Sequence, residues 1–251
     1  MDLRFDDKTA IVTGGASGIG AAVVDELAAA GATVVVADLE DDAIAAKVAE
    51  VEKAGGKALP FKVDVGKVDE VKAMIDFAVE KTGRLDALVN NAGIGGEQAP
   101  LGELSIDGWH NLMNVNLHGV FYGMRYAIPV MEKAGAGAIV NMASILGSVG
   151  FANASAYVAS KHALLGLTKA AAIEYSAKGI RINSVGPGFI KTPLIEKNLD
   201  ADTLKMLAGA HPIGRLGESE EVAALVVFLL SERASFITGS YNLVDGAYTA
   251  Q

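Results

Sequence analysis

The chain contains no cysteine. Disulfides, thiolate nucleophiles and cysteine-held metal centres are excluded with it. Basic charge is also scarce: 21 Lys and Arg stand against 30 Asp and Glu, a formal charge of -9. Generic binding to nucleic acid or to an anionic membrane surface needs a basic face, so neither is expected. Long apolar runs are missing too, since the longest, Val222 to Leu230, is too short to span a bilayer. The acidic opening MDLRFDDKTA lacks the build of a secretory leader, and a cytoplasmic protein is the expectation. His110, His118, His162 and His211 show no metal-ligand spacing with carboxylates, and the acidic run Asp38 to Asp42 lacks that of an oxygen cage, so no metal is expected. Aromatic residues make up only 6%, which leaves an aliphatic core. With 51% hydrophobic residues in 251, that core is sizeable.

What is present is an alternation. Short β-branched runs at 9–14, 32–38, 57–65, 85–90, 137–144, 179–186 and 241–246 read as strands. Between them lie segments of helical period at 19–30, 41–56, 67–82, 106–132, 155–177 and 219–231, the last with Ser219 as its expected N-cap. Nearly continuous apolar strands separated by helices indicate a parallel sheet covered on both faces. Right-handed crossovers then give an α/β fold, a doubly wound Rossmann-type domain of seven parallel strands flanked by helices. No linker or repeat divides the chain, so residues 1–251 are expected to form one domain. The irregular stretch 187–217, with Pro187, Pro193, Pro212 and a short helical pattern near 201–209, is a candidate substrate loop or lid.

Between the first strand and first helix stands TGGASGIG, residues 13–20. Glycines there permit a tight turn and let backbone N–H groups approach a pyrophosphate at the helix N-terminus. The spacing, Gly14-x-x-x-Gly18-x-Gly20, differs from the commoner G-x-G-x-x-G. Asp38 ends the second strand, where a carboxylate accepts hydrogen bonds from an adenosine ribose. Leu39, Glu40, Asp41 and Asp42 follow, with no Arg or Lys to meet a 2′-phosphate, so NAD is favoured over NADP.

Taken together, TGxxxGxG at 13–20, Asp64-Val65, NNAG at 90–93, NVNLHGVF at 114–121, NMAS at 141–144, YVASK at 157–161 and GPG at 186–188 make the chain resemble the short-chain dehydrogenase/reductase family over essentially its whole length. The resemblance implies a catalytic set of Asn116, Ser144, Tyr157 and Lys161. Ser144 is implied to polarise the substrate oxygen, Tyr157 to act as general base, and Asn116 to stabilise a water linking Lys161 to solvent. Lys161 is implied to hold the nicotinamide ribose, and its i, i+4 spacing from Tyr157 puts both on one helix face, where an ammonium favours the phenolate. The implied cofactor contacts are Gly14, Ser17, Gly18, Ile19, Gly20, Asp38, Leu39, Asp64, Val65, Asn91, Ala92, Gly93, Tyr157, Lys161, Pro187, Gly188, Ile190 and Thr192. The terminal DGAYTAQ replaces the family's frequent Asp-Gly-Gly and touches no expected catalytic position.

Substrate is expected above the strand C-termini. Ile94, Ile145, Leu146, Phe151, Asn153, Phe189 and Leu194 are the candidate pocket residues. This largely apolar set favours an uncharged secondary alcohol or ketone, cyclic ones included. The expected activity is therefore an NAD-dependent alcohol dehydrogenase or ketone reductase. A sugar dehydrogenase or 3-oxoacyl-carrier-protein reductase stands as the alternative on the same framework, and a non-catalytic NAD sensor is weakened by the presence of Tyr157. The family resemblance also implies a homo-oligomer, commonly a tetramer.

Overall fold

Residues 3–192 and 200–251 are described by the structure, a computed structural model. Leu194, a candidate pocket residue, lies outside them. Seven strands form one sheet in the order β3-β2-β1-β4-β5-β6-β7. They are β1 (Thr9–Thr13), β2 (Thr33–Asp38), β3 (Lys57–Lys62), β4 (Ala87–Asn90), β5 (Gly137–Met142), β6 (Ile180–Pro187) and β7 (Tyr241–Val244). All pairings are parallel. Pro60 falls on β3, an edge strand, where a missing N–H leaves no ladder partner unsatisfied.

Alternation along each strand splits the core into two. Val12, Val34, Val36, Val89 and Val140 face one side and pack on α1 (Gly18–Ala29), α2 (Asp41–Lys53) and a later helix, Ser219–Leu230. Ile11, Val35, Leu88, Ile139 and Ile182 face the other, against α3 (Val68–Thr82) and the helices that follow β4 and β5. Ile11, Leu88 and Ile139 are fully buried, and each such side chain stabilises the fold by about 1.5–3 kcal/mol.

The helix expected over 106–132 is interrupted. It runs as α4 (Ile106–Met113), a wide π turn over Asn114–His118, and α5 (Gly119–Ala134), with the Gly119 N–H donating to the Asn114 carbonyl five residues back. After β5 comes a 3₁₀ turn at Ile145–Gly147, then α6 (Ser155–Tyr175). In chain order, Ala201–Gly209 is α7 and Ser219–Leu230 is α8. The N-cap of α8 is Glu218, not Ser219. Glu221 accepts the Glu218 N–H at 2.9 Å and is itself held bidentately by Arg215, so the cap moves one residue back.

Candidate active site

The sheet's carboxyl edge gathers four loops. The turn after β1 carries Gly14 at φ +62° and Gly18 at φ +52°, a left-handed backbone that favours glycine. At Gly20, a Cβ would collide with the Gly14 carbonyl, so this turn closes only on glycine. Exposed Ser17 stands at the N-cap position of α1 without a side-chain capping bond, and Ile19 packs against the core beneath it. Asp38 ties the turn to β2, accepting the Ala16 N–H at 3.0 Å through one oxygen and the Leu39 N–H at 2.8 Å through the other. The β2–β3 register puts Lys62 opposite Asp38, a cation that reading along Asp38–Asp42 does not reveal, and Lys62 is paired with Asp41 at 2.5 Å.

Thr13 joins this turn to the loop after β4. Its hydroxyl oxygen accepts the Asn91 and Ala92 N–H groups at 3.0 and 3.1 Å, while the Asn91 side chain donates to the Thr13 and Gly14 carbonyls. Behind them lies a buried relay of amides. Asn90 donates to Asn141 at 2.9 Å, and Asn141 donates to Thr168 of α6 at 3.0 Å. Asp64 accepts the Gly66 N–H at 2.9 Å and pairs with Lys67, so it holds a turn whatever else it contacts, while Val65 packs beneath Gly119.

Asn116 sits in the π turn and is fully buried. The wider turn sets its amide against the next loop, where it accepts the Ile94 N–H at 2.8 Å and donates to the Ile94 carbonyl at 2.9 Å. Gly93 lies between Asn116 and Lys161; a Cβ there would sit 3.3 Å from the Asn116 Oδ1 and 3.8 Å from the Lys161 Nζ.

Lys161 is buried, with its ammonium over the Tyr157 ring, 5.4 Å from the centroid, and donating to the Met142 carbonyl at 2.8 Å. Burial lowers its pKa from 10.5 to about 8. Ser144 follows β5, and its side chain lies near enough to the Tyr157 hydroxyl to bear on its pKa. Burial raises the Tyr157 pKa above its usual 10, and the Ser144 side chain works against the rise. The ammonium faces the ring and the Met142 carbonyl.

The pocket candidates fall at different depths. Ile145 and Leu146 are buried in the 3₁₀ turn, Ile94 is half-buried, and Phe151 and Asn153 are exposed. Asn153 has φ 62°, a left-handed conformation that asparagine tolerates, and its carbonyl accepts the Ala99 N–H at 3.1 Å. Phe189 meets Phe151 at 6.0 Å between centroids, and also His211 at 5.8 Å and Tyr248 at 5.9 Å. His211 accepts the Phe189 N–H through Nε2 at 3.2 Å, with Nδ1 2.8 Å from the Leu207 carbonyl. Sequence reasoning missed His211 and Tyr248; the tyrosine in DGAYTAQ was the available signal. Buried Pro187 and Ile190 flank Gly188, whose N–H donates to the Val244 carbonyl at 2.9 Å, and Thr192 is half-buried at the end of that run. The stem of the 187–217 excursion is clasped, with Lys191 N–H donating to Gly217 O at 2.8 Å and Gly217 N–H to Phe189 O at 3.0 Å. Among the described residues, no group of three His, Asp or Glu side chains is placed to hold a metal ion.

A doubly wound parallel sheet, a glycine-lined turn closing on an acidic strand end, and a Ser–Tyr–Lys cluster one loop away define a dinucleotide-dependent oxidoreductase. Comparison with known proteins agrees. The family profile described as enoyl-(acyl carrier protein) reductase matches residues 14–249. A cyclohexanol dehydrogenase from Acinetobacter sp. (strain SE19) is 51% identical over 251 residues, covering 100% of this chain and 98% of that protein. A cis-4-hydroxycyclohexanecarboxylate dehydrogenase from Sinomonas cyclohexanicum is 46% identical, with 100% of both chains covered. The crystal structure of levodione reductase superposes with a TM-score of 0.96 at 36% identity, covering 98% of this chain and 99% of that one. The chain belongs to the short-chain dehydrogenase/reductase family. It is an oxidoreductase of the alcohol dehydrogenase and ketone reductase kind, working with a nicotinamide cofactor.

Proposed function

We propose that the protein interconverts an uncharged cyclic secondary alcohol and its ketone, using NAD rather than NADP, with Tyr157 as general base in oxidation and general acid in reduction. The observation that carries this reading is the Lys161 ammonium seated over the Tyr157 ring, 5.4 Å from its centroid, with Ser144 near the same phenol, at the sheet edge that also bears the glycine turn. The residues fit the cofactor. Gly14, Gly18 and Gly20 leave a cradle that side chains would fill, and each Asp38 oxygen, having accepted one backbone N–H, keeps capacity for a ribose hydroxyl. Lys62, the cation nearest in register, is already engaged by Asp41, which leaves a 2′-phosphate facing the Asp38 carboxylate.

When bound, NAD supplies the hydride acceptor. The chain's own residues do the rest. Ser144 holds the alcohol oxygen beside Tyr157, which takes the hydroxyl proton. Because burial keeps free Tyr157 a phenol, proton removal draws on the positive charge of Lys161 and of the bound nicotinamide together, and oxidation quickens as pH rises. Asn116, bonded through both side-chain groups to Ile94, lies beside Lys161 across Gly93, where a water would pass the proton outward. Phe189 and Phe151, with Ile94, make an apolar wall. A carbocyclic substrate suits that wall, and the names of the two relatives given above both describe alcohols on a cyclohexane ring. The same reading has the chain act as a single domain, 1–251, in a cytoplasmic homotetramer.

Cyclohexanol with NAD, followed by NADH absorbance, tests the assignment. Turnover is expected with NAD and much less with NADP. Tyr157→Phe is expected to lose about 10²- to 10⁴-fold in kcat while still binding NADH. Unchanged turnover in that variant would sink Tyr157 as the base.

A further inference from the structure

Ser144 is held mostly by its own neighbourhood. Its carbonyl accepts the Gly147 N–H at 2.9 Å, its hydroxyl accepts the Leu146 N–H at 3.2 Å, and Ser148 donates to the Ile145 carbonyl at 3.0 Å. These bonds shape the turn, but they move with it. One side-chain bond reaches the turn from far away in sequence. The Tyr241 hydroxyl, at the start of β7, donates to the Ser144 carbonyl at 2.6 Å across 97 positions.

The ring matters as well. Tyr241 lies directly over Gly186, where any Cβ would strike it. Gly186 precedes Pro187 and Gly188, two of the expected cofactor contacts, so this aromatic ring braces the Ser144 turn against the segment that carries them. The register pairs Tyr241 with Ser184, and the ring extends from there toward the strand's carboxyl end.

We propose that Tyr241 is a positioning residue for the reaction: it fixes the Ser144 turn against β6 and β7 so that the serine hydroxyl stays aimed at Tyr157. The proposal rests on the reading of Ser144 and Tyr157 given above. Tyr241 touches neither substrate nor cofactor in this account; it acts through Ser144. Removing its hydroxyl releases the turn and lets the Ser144 side chain drift from Tyr157, so the phenol loses an interaction that works against the effect of burial.

The test is Tyr241→Phe, which keeps the ring over Gly186 and deletes only the hydroxyl. With cyclohexanol and NAD, kcat is expected to fall roughly three- to tenfold, as for the loss of one hydrogen bond. NADH affinity, read by fluorescence titration, stays at the wild-type value, and the rise of kcat with pH moves to higher pH. Gly186→Ala, which pushes the ring aside through its new Cβ, is expected to displace the profile in the same direction. A Tyr241→Phe enzyme with wild-type kcat overturns the assignment, and so does one whose kcat falls while its pH profile stays put, since that marks a merely structural role. Tyr157→Phe run alongside separates the two levels. If it is inactive while Tyr241→Phe is normal, only the Tyr241 proposal fails; if it is active, the underlying reading fails.

Discussion

Lys161 shows how a single residue trades stability for chemistry. Its buried ammonium has one hydrogen bond, to the Met142 carbonyl, and a pKa lowered to about 8 from 10.5. Between those two values the unfolded chain holds a proton that the folded chain has released, so this residue's contribution to stability improves as pH rises through the window. Below pH 8 the full penalty is present, about 3 kcal/mol by the usual conversion of pKa shift to free energy. Lys161→Met removes the charge but leaves the Met142 carbonyl without its donor. The expected net gain at pH 7 is about 2 kcal/mol, a Tm higher by about 5 °C, with oxidation of cyclohexanol lost. Near pH 10.5 the stabilisation shrinks to nothing or reverses. Thermal melts of both proteins at the two pH values check this, and a lower Tm for the variant at pH 7 would show that the buried charge costs less than its hydrogen bond contributes.

At the scale of elements, the strands were readable because both faces of a parallel sheet are buried, which writes itself as continuous apolar runs such as Thr9–Thr13 and Thr33–Asp38. The break at Asn114–His118 was not readable. A π turn adds one residue to a helical turn without changing the apolar content, so periodicity carries through it. The motif order picked out Asn116, Ser144, Tyr157 and Lys161, yet nothing local announces that Tyr241 reaches Ser144 or that Thr168 closes the Asn90–Asn141 relay. Those contacts exist only once distant strands and helices are side by side. The relay fastens α6, the helix bearing Tyr157, to the centre of the sheet. Thr168→Val keeps the shape and removes the acceptor for a buried Asn141 N–H, which costs about 1–3 kcal/mol. Calorimetry is expected to show Tm lowered by roughly 3–10 °C. An unchanged Tm would mean that Met124, whose sulfur already lies 3.2 Å from the same amide, satisfies it alone.

For the whole molecule, the sheet presents its glycine turn, Asp38 and the Ser144 turn along one edge, so a dinucleotide bound as proposed would link elements from β1 to β6. Binding to the folded state alone raises stability by about 2.7 kcal/mol at a ligand concentration 100 times its Kd. NADH at such a concentration is expected to raise Tm by about 5–10 °C, and NADPH at the same concentration by much less. Asp38→Ala is expected to bring the two shifts together, as read by differential scanning fluorimetry. Equal shifts in the wild type would overturn the preference for NAD. The clasp between Phe189, Lys191 and Gly217 has a separate consequence. Because the strand-like pairing closes the stem before the chain departs, the sheet does not register how long the intervening run is, and doubling a loop's length costs only about 0.6 kcal/mol in closure entropy. Changes in its length are therefore expected to leave Tm nearly unchanged where they keep His211 in place, since that side chain accepts the Phe189 N–H and ties the far end of the run back to the stem.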